Sequence, residues 1–369
     1  MNGVQGYLYN NKVLAMNIND LFYNLSNPNS EWFLPLEYKD SDEDFLGFIL
    51  DKILNYVDLV KKLDNDNVDL LNHAFDNLPP ENKPNKSHDF IRDLQAVADI
   101  TKNVLQISIR SFHEEAFDNL RKFFEADDAF YLKMFPQLCF EQGCLFRIRS
   151  GLIKQNADYD GEMFHIPFEK RYLVNTQRFS IPGYPSLYLA SSFFTAWCEL
   201  DKPQLSNLTY VFFQPKEKIY FLDLGLPYTE SPEIWELYEL FVMYPILMAS
   251  MTRVRYPNAP FKPEYLIPQL MMKLVREHTK IFRGISYISN KIPDSADRKN
   301  IDSRNFVLCV NNTICKSGHD KHLASLLQIS DYKYISTDTL KHAVNYDNGK
   351  YTIDFKQLNL SSGKVHDVK

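Results

Sequence analysis

The spacing of apolar residues changes near residue 140, and that change constrains the fold more than any other feature. Before it, apolar residues recur every three or four positions. Phe45, Ile49, Ile53, Tyr56, Val57, Val60 and Leu63 form one such stripe, and Phe90, Leu94, Val97, Ile100 and Val104 form another. Each is the pattern of one helix face. Ser41 followed by Asp44 has the form of a capping box with Asp in place of Glu. The polar segment 77–87, with Pro79, Pro80 and Pro84, separates the two helices, and a third is expected over 114–126. After residue 140 the apolar runs shorten to strand length. Strands are expected at 144–149, 187–190, 207–213, 218–224, 284–288 and 306–310. Helices are expected over 231–254, kinked at Pro245, and over 264–278. Asn348-Gly349 is the sequence of a tight hairpin, and the polar tail is expected to fray. The fold expectation is therefore α+β: an all-helical domain over 1–140, a mixed domain over 141–358, and a polar tail over 359–369.

Composition narrows the function classes. With 369 residues, 45% of them apolar, the chain can bury two cores or one large one. A net charge of −6 supplies no global basic field for nucleic acid. Glycine is scarce, at 12 residues, and no GxGxxG occurs, which argues against a dinucleotide held on a Rossmann turn. The five cysteines, 139, 144, 198, 309 and 315, are odd in number and lack histidines at ligand spacing. They read as reduced thiols with no metal, in a cytoplasmic protein. No basic segment leads into an apolar run at the N-terminus, so no signal peptide is expected. The most apolar stretch, 240–249, is about half of the roughly 20 residues a membrane helix needs.

Chemistry concentrates between Arg178 and Glu199, RFSIPGYPSLYLASSFFTAWCE. Turn residues lead into the strand LYLA, and Ser191 or Ser192 can cap the helix that follows. An arginine precedes the strand, Tyr188 lies within it, and Glu199 follows one helix later. Glu199 sits in a segment expected to be buried, where a carboxylate needs a cationic or hydrogen-bonding partner; Arg178 and Arg147 are the candidates. Arg147 and Arg149 share one face of the strand LFRIR, a pair suited to phosphate. Taken singly, each of these residues also has a bland reading, as a solvated charge, a rim tyrosine or a loop serine.

Taken in order, they resemble the RES-domain family. Arg178-Phe-Ser-Ile-Pro-Gly, Leu-Tyr188-Leu-Ala and Ala196-Trp-Cys-Glu199 match its core signature. LFRIR resembles the strand with the family's other arginine, here Arg147. EYLIPQLMMKLV and FRGISYIS resemble the helix that carries Gln269 and the strand that delivers Ser289, and 305–307 fits the segment beyond. The resemblance covers roughly 144–312. A longer loop before Arg178 leaves Arg171 as a competitor for its place.

The resemblance implies an ADP-ribosyltransferase-like fold and an enzyme that consumes NAD+ as substrate, with no resident cofactor. Known members cleave the nicotinamide–ribose bond with phosphate or water as acceptor, as toxins of toxin–antitoxin pairs. It assigns Glu199, Arg178 and Ser289 to catalysis, and Arg147, Tyr188 and Gln269 to substrate binding. Some members carry a HEPN-like helical domain, which residues 1–140 could be. Arg110 and His113 stand closer than the Arg–His pair of HEPN ribonucleases, so RNA cleavage is not expected. An antitoxin or regulatory partner on the helical domain is expected, and a homo-oligomer stays open. The alternatives are transfer of ADP-ribose to a macromolecule and a catalytically silent binding module.

Overall fold

The computed structural model describes residues 16–39, 44–79, 83–156, 160–225, 231–292, 303–311, 317–336, 338, 344–347, 350–353, 355–358 and 360–369. Its first part is helical: α1 (Ile18–Ser26), α2 (Phe45–Val60), α3 (Asn65–Asn72), α4 (Phe90–Ser108) and α5 (His113–Lys133). Short polar side chains start four of them. Asn17, Asp44, Asp64 and Asp89 each accept a bond from the amide three residues on, which satisfies one orphan donor of the first turn. Asp44 is thus the cap of α2; Ser41, the expected cap, lies outside the described residues. The stripes read from the sequence are the buried faces of α2 and α4. Three elements of this part departed from expectation. Helices α1 and α3 are absent from the sequence expectation: α3 is short and polar, whereas α1 does carry helical spacing, at Ile18, Leu21, Phe22 and Leu25. Helix α5 runs past Ala126 but is interrupted there, with φ of 55°, 56° and 59° at Asp127, Asp128 and Ala129. Lys86 and Asn85 hold the two aspartates of this left-handed stretch, where each non-glycine residue costs about 1–2 kcal/mol.

The remainder alternates strands and helices: β1 (Gln137–Phe140), β2 (Leu145–Ser150), β3 (Ser186–Ala190), α6 (Phe193–Glu199), β4 (Leu208–Pro215), β5 (Ile219–Asp223), α7 (Ile234–Ser250), α8 (Leu266–Glu277), β6 (Gly284–Ile288), β7 (Arg304–Cys309), α9 (Lys321–Ser325), β8 (Leu327–Ser330), β9 (Val344–Asp347), β10 (Lys350–Ile353) and β11 (Val365–Asp367). Nine strands form one mixed sheet in the order β1-β5-β6-β7-β3-β2-β4-β8-β11, parallel between β5 and β6 and antiparallel elsewhere. Strands β9 and β10 form a separate antiparallel pair; the Asn348-Gly349 turn expected between them lies outside the described residues. The tail is not frayed at its end. Val365–Asp367 pairs with β8, and Lys216 bonds Asp367 at 2.6 Å.

One apolar cluster runs from α1–α5 through α7 and α8 to one face of β5, β6 and β7, at Leu222, Ile285 and Val307. Helix α7 lies inside it and is buried from Leu237 to Ser250 apart from Glu239, with Pro245 in its interior. It ends at Ser250 rather than near 254, because the chain after Met251 bridges to Leu36 at Thr252. The opposite sheet face carries Leu187, Leu189, Phe213, Phe306 and Leu308, packed on Phe164 and Phe168. A third cluster joins Phe146, Ile148 and Ala190 to Phe193 and Ala196 of α6. Strands β2 and β3 are paired at Phe146–Ala190 and nowhere else among the described residues. The sheet is therefore loose where these two strands diverge. No helix among the described residues is long and apolar enough to cross a membrane.

Candidate active site

A cavity of about 820 Å3 opens around that divergence, toward the upper end of the roughly 300–1,000 Å3 usual for small-molecule pockets. Its walls come from β2, the loop before β3, β3 itself, the end of α6, the segment 253–265, and the starts of β7 and of the loop after β6. Glu199 reaches it because α6 is short. Ser192 caps the helix by accepting from the Thr195 amide at 3.1 Å, and Glu199 is its last residue. Asp201 and Lys202 then turn the chain with φ of 58° and 57°.

The carboxylate of Glu199 is held from the neighbouring strands. Ser289 Oγ donates to Oε1 at 2.6 Å, and Asn305 Nδ2 donates to the same oxygen at 2.5 Å. Lys291 Nζ donates to the Glu199 carbonyl at 2.8 Å and pairs with Asp201 at 2.7 Å. The partners of this carboxylate are thus a serine and an asparagine, not the arginines considered from sequence. Ser289 is fully buried and stands behind Glu199 rather than on the cavity wall.

The two arginines occupy different places in the cavity. Arg178 is 7% exposed. Its Nη1 and Nη2 donate to the Ser250 and Thr252 carbonyls at 2.8 and 3.0 Å, and its face lies over the Tyr265 ring. Burial lowers its pKa; nearby Tyr265 and, more weakly, Glu199 oppose that. Arg147 follows Leu145 in the strand alternation and so leans to the opposite sheet face, near His165. It bridges the gap between the strands, Nη1 donating to the Tyr188 carbonyl at 2.9 Å, while its Nε–H is buried without a partner. Burial, then the charge of Arg149, pulls this guanidinium down to about 9, so it stays charged at neutral pH. Among the described residues neither Arg147 nor Arg178 has a carboxylate within ion-pair distance.

Tyr188 lines the cavity, its hydroxyl 2.9 Å from Ser180 Oγ, and burial raises its pKa. Gln269 does not line the cavity. Its amide donates to Thr176 Oγ1 and to the Gln177 and Ser180 carbonyls at 3.0, 3.1 and 3.3 Å, bracing the loop that bears Arg178. Arg171 lies off the cavity with its guanidinium over Phe168, whereas Arg178 lines it. Tyr265, Tyr287 and Lys291 were not singled out from sequence, and Asn305 falls there only within the segment 305–307, without a role; it is the second residue of β7.

Six cationic side chains, Arg147, Arg149, Arg178, Arg253, Lys262 and Lys291, line the cavity against the carboxylates of Glu199 and Asp201. That is a local positive field in a chain of net charge −6. Two guanidiniums without counter-ions, Arg178 buried and Arg147 half-buried, favour an anionic ligand. Among the described residues no group of three or more His, Cys, Asp or Glu side chains could hold a metal ion. The site thus combines a fixed carboxylate, anion-binding arginines, and aromatic faces at Tyr188, Tyr265 and Tyr287.

A search of curated proteins finds the chain similar to Putative toxin YopC of Bacillus subtilis (strain 168), 37% identical over 190 residues. The match covers 46% of this chain and 42% of the relative, so it spans less than half of that protein. No protein-family model matches the chain, and no solved structure does.

Proposed function

We propose that the chain is an NAD+-degrading enzyme of the RES type, with an ADP-ribosyltransferase-like arrangement of its sheet, which cleaves the nicotinamide–ribose bond and acts as a toxin. The observation that carries this reading is the pair of guanidiniums without counter-ions, Arg178 buried and Arg147 half-buried, in the cavity that holds Glu199. A dinucleotide supplies what that cavity lacks, a pyrophosphate for the arginines and flat rings for the tyrosines. The name of the YopC relative supports the toxin role, and a toxin calls for a restraining partner.

Cleavage breaks the bond from ribose C1′ to the pyridinium nitrogen. The bonding pair leaves with nicotinamide, which departs as a neutral base, so no general acid is required. Positive charge develops at C1′ and the ring oxygen, as in glycoside hydrolysis. Glu199 stabilises that charge and orients the incoming oxygen. Phosphate or water then forms the new C1′–O bond, and a proton lost from water passes to the carboxylate or to solvent. Ser289 and Asn305 fix Glu199, so little reorganisation is needed at the moment of reaction. Lys291 is already occupied by Asp201, and Arg147 and Arg178, which have no carboxylate partner among the described residues, are the anchors for anionic groups.

The test is release of nicotinamide from NAD+, with and without phosphate. Release by the wild type, reduced at least about 100-fold in Glu199→Gln, is the expected result. ADP-ribose 1″-phosphate as product identifies phosphate as acceptor, and ADP-ribose identifies water. Release no faster than the Glu199→Gln control overturns the reading.

A further inference from the structure

The segment that holds Arg178 is itself held by the N-terminal half of the chain. Directly after Ser250 ends α7, the chain passes beside Leu36 and forms a parallel bridge with it at Thr252. The Leu36 amide donates to the Met251 carbonyl at 2.9 Å, and the Arg253 amide donates to the Leu36 carbonyl at 2.8 Å. The alternate carbonyls, of Ser250 and Thr252, point the other way and receive the Arg178 guanidinium. One short strap, the end of α7 and the residues just after it, thus bonds Leu36 on one edge and Arg178 on the other. An ion pair between Glu37 and Arg253 continues the contact.

Two residues further along, Tyr38 clamps the continuation of the strap. Its hydroxyl donates to Glu264 Oε1 at 2.6 Å, and the Arg255 amide donates to the same oxygen at 3.0 Å. The Arg255 guanidinium lies 3.8 Å over the Tyr38 ring. Glu264 is 2% exposed. The segment 253–265 acts as a partition. Arg253, Val254, Lys262 and Tyr265 face the main cavity, while Arg255, Phe261 and Glu264 face a separate cavity of about 320 Å3 that Tyr38 also lines. Tyr38 therefore stands on the far side of the partition from any substrate.

We infer that Leu36 and Tyr38 are positioning residues for Arg178, so that the N-terminal half completes the candidate active site instead of merely adjoining it. Arg178 lacks a carboxylate to orient it, and its two acceptors are main-chain carbonyls. Its place is set by wherever the strap lies, and a shift of about 1 Å in such an anchor can cost up to 100-fold in rate. The inference rests on the NAD+ reading for its kinetic arm alone.

The test uses Tyr38→Phe in the full chain, which deletes one hydroxyl and keeps the ring beneath Arg255. Modification of Arg178 by phenylglyoxal, read by peptide mass spectrometry, is expected to be slow in the wild type and several-fold faster in the variant. The KM for NAD+ is expected to rise roughly threefold to tenfold, with kcat within about twofold. Glu264→Gln keeps a carbonyl oxygen for both donors and is expected to behave as the wild type. Ile49→Val, a core truncation in α2 away from the strap, is expected to leave Arg178 labelling unchanged. Wild-type labelling in Tyr38→Phe overturns the inference, as does equal acceleration in Ile49→Val. Should the wild type release no nicotinamide, the NAD+ reading falls, and the labelling arm still decides the role of Tyr38.

Discussion

Glu199 could be picked out as a functional candidate from its neighbours in the chain, but its partners could not. A carboxylate placed after Phe193, Phe194, Ala196 and Trp197 has to be satisfied, and an arginine is the usual first guess. The donors are instead neutral, from Ser289 and Asn305, which leaves Arg147 and Arg178 unneutralised for a ligand. His165 shows the same dependence on surroundings. Fully buried, it accepts the Asp320 amide at Nε2 at 2.8 Å, so its proton sits on Nδ1, 2.8 Å from the Ile166 carbonyl. Burial lowers its pKa to about 4, below the roughly 6.5 of an unfolded chain. Between those values the unfolded chain binds a proton that the folded one refuses, so stability falls as pH drops from about 6.5 toward 4, by up to about 3 kcal/mol from this group. Urea unfolding at pH 7 and at pH 4.5 is expected to show that fall, and a smaller one in His165→Gln. Because Arg147 lies near His165, protonating this ring also sets a second cation beside that arginine.

At the scale of elements, strands β5, β6 and β7 are spaced by close approaches that side chains would forbid. A Cβ on Gly284 would meet the Val307 carbonyl oxygen at 2.1 Å, so the antiparallel contact of β6 with β7 needs glycine there. The same strands carry the buried Asp223–Arg304 ion pair, with Ser286 also donating to Asp223. Immediately beyond β6 comes Ser289, and β7 holds Asn305, so the spacing of these strands sets the two bonds to Glu199. Gly284→Ala is expected to cost about 1–3 kcal/mol of stability by overpacking, measured by urea unfolding. The long helices and the strand runs from 145 to 309 were legible because neighbouring residues set their periods. The edge strands β1 and β11, and β8 beside the latter, were not, since a run of three or four residues has no period to read and forms when a partner strand is present.

For the whole molecule, the apolar cluster that begins in α1 ends on the sheet. Tyr56 donates from α2 to the Phe241 carbonyl in α7 at 2.9 Å, and Tyr238 of α7 donates to Asp93 of α4 at 2.8 Å. Removing the N-terminal helices would expose α7, which has no polar face to offer water. A fragment of residues 136–369 is expected to lack a cooperative thermal transition and to bind the dye ANS. A folded fragment with higher nicotinamide release than the full chain would instead show that the helices restrain the site.

Local spacing, by itself, determined the helical first part and the main strands, because such patterns depend on residues within a turn or two of each other. Tertiary structure alone decided that Arg147 bridges two diverging strands, that Gln269 braces a loop instead of meeting a ligand, and that Leu36 shares a strap with Arg178. These outcomes depend on hydrogen bonds between segments far apart in the chain, whose directions exist only once the sheet and α7 have set where each backbone runs.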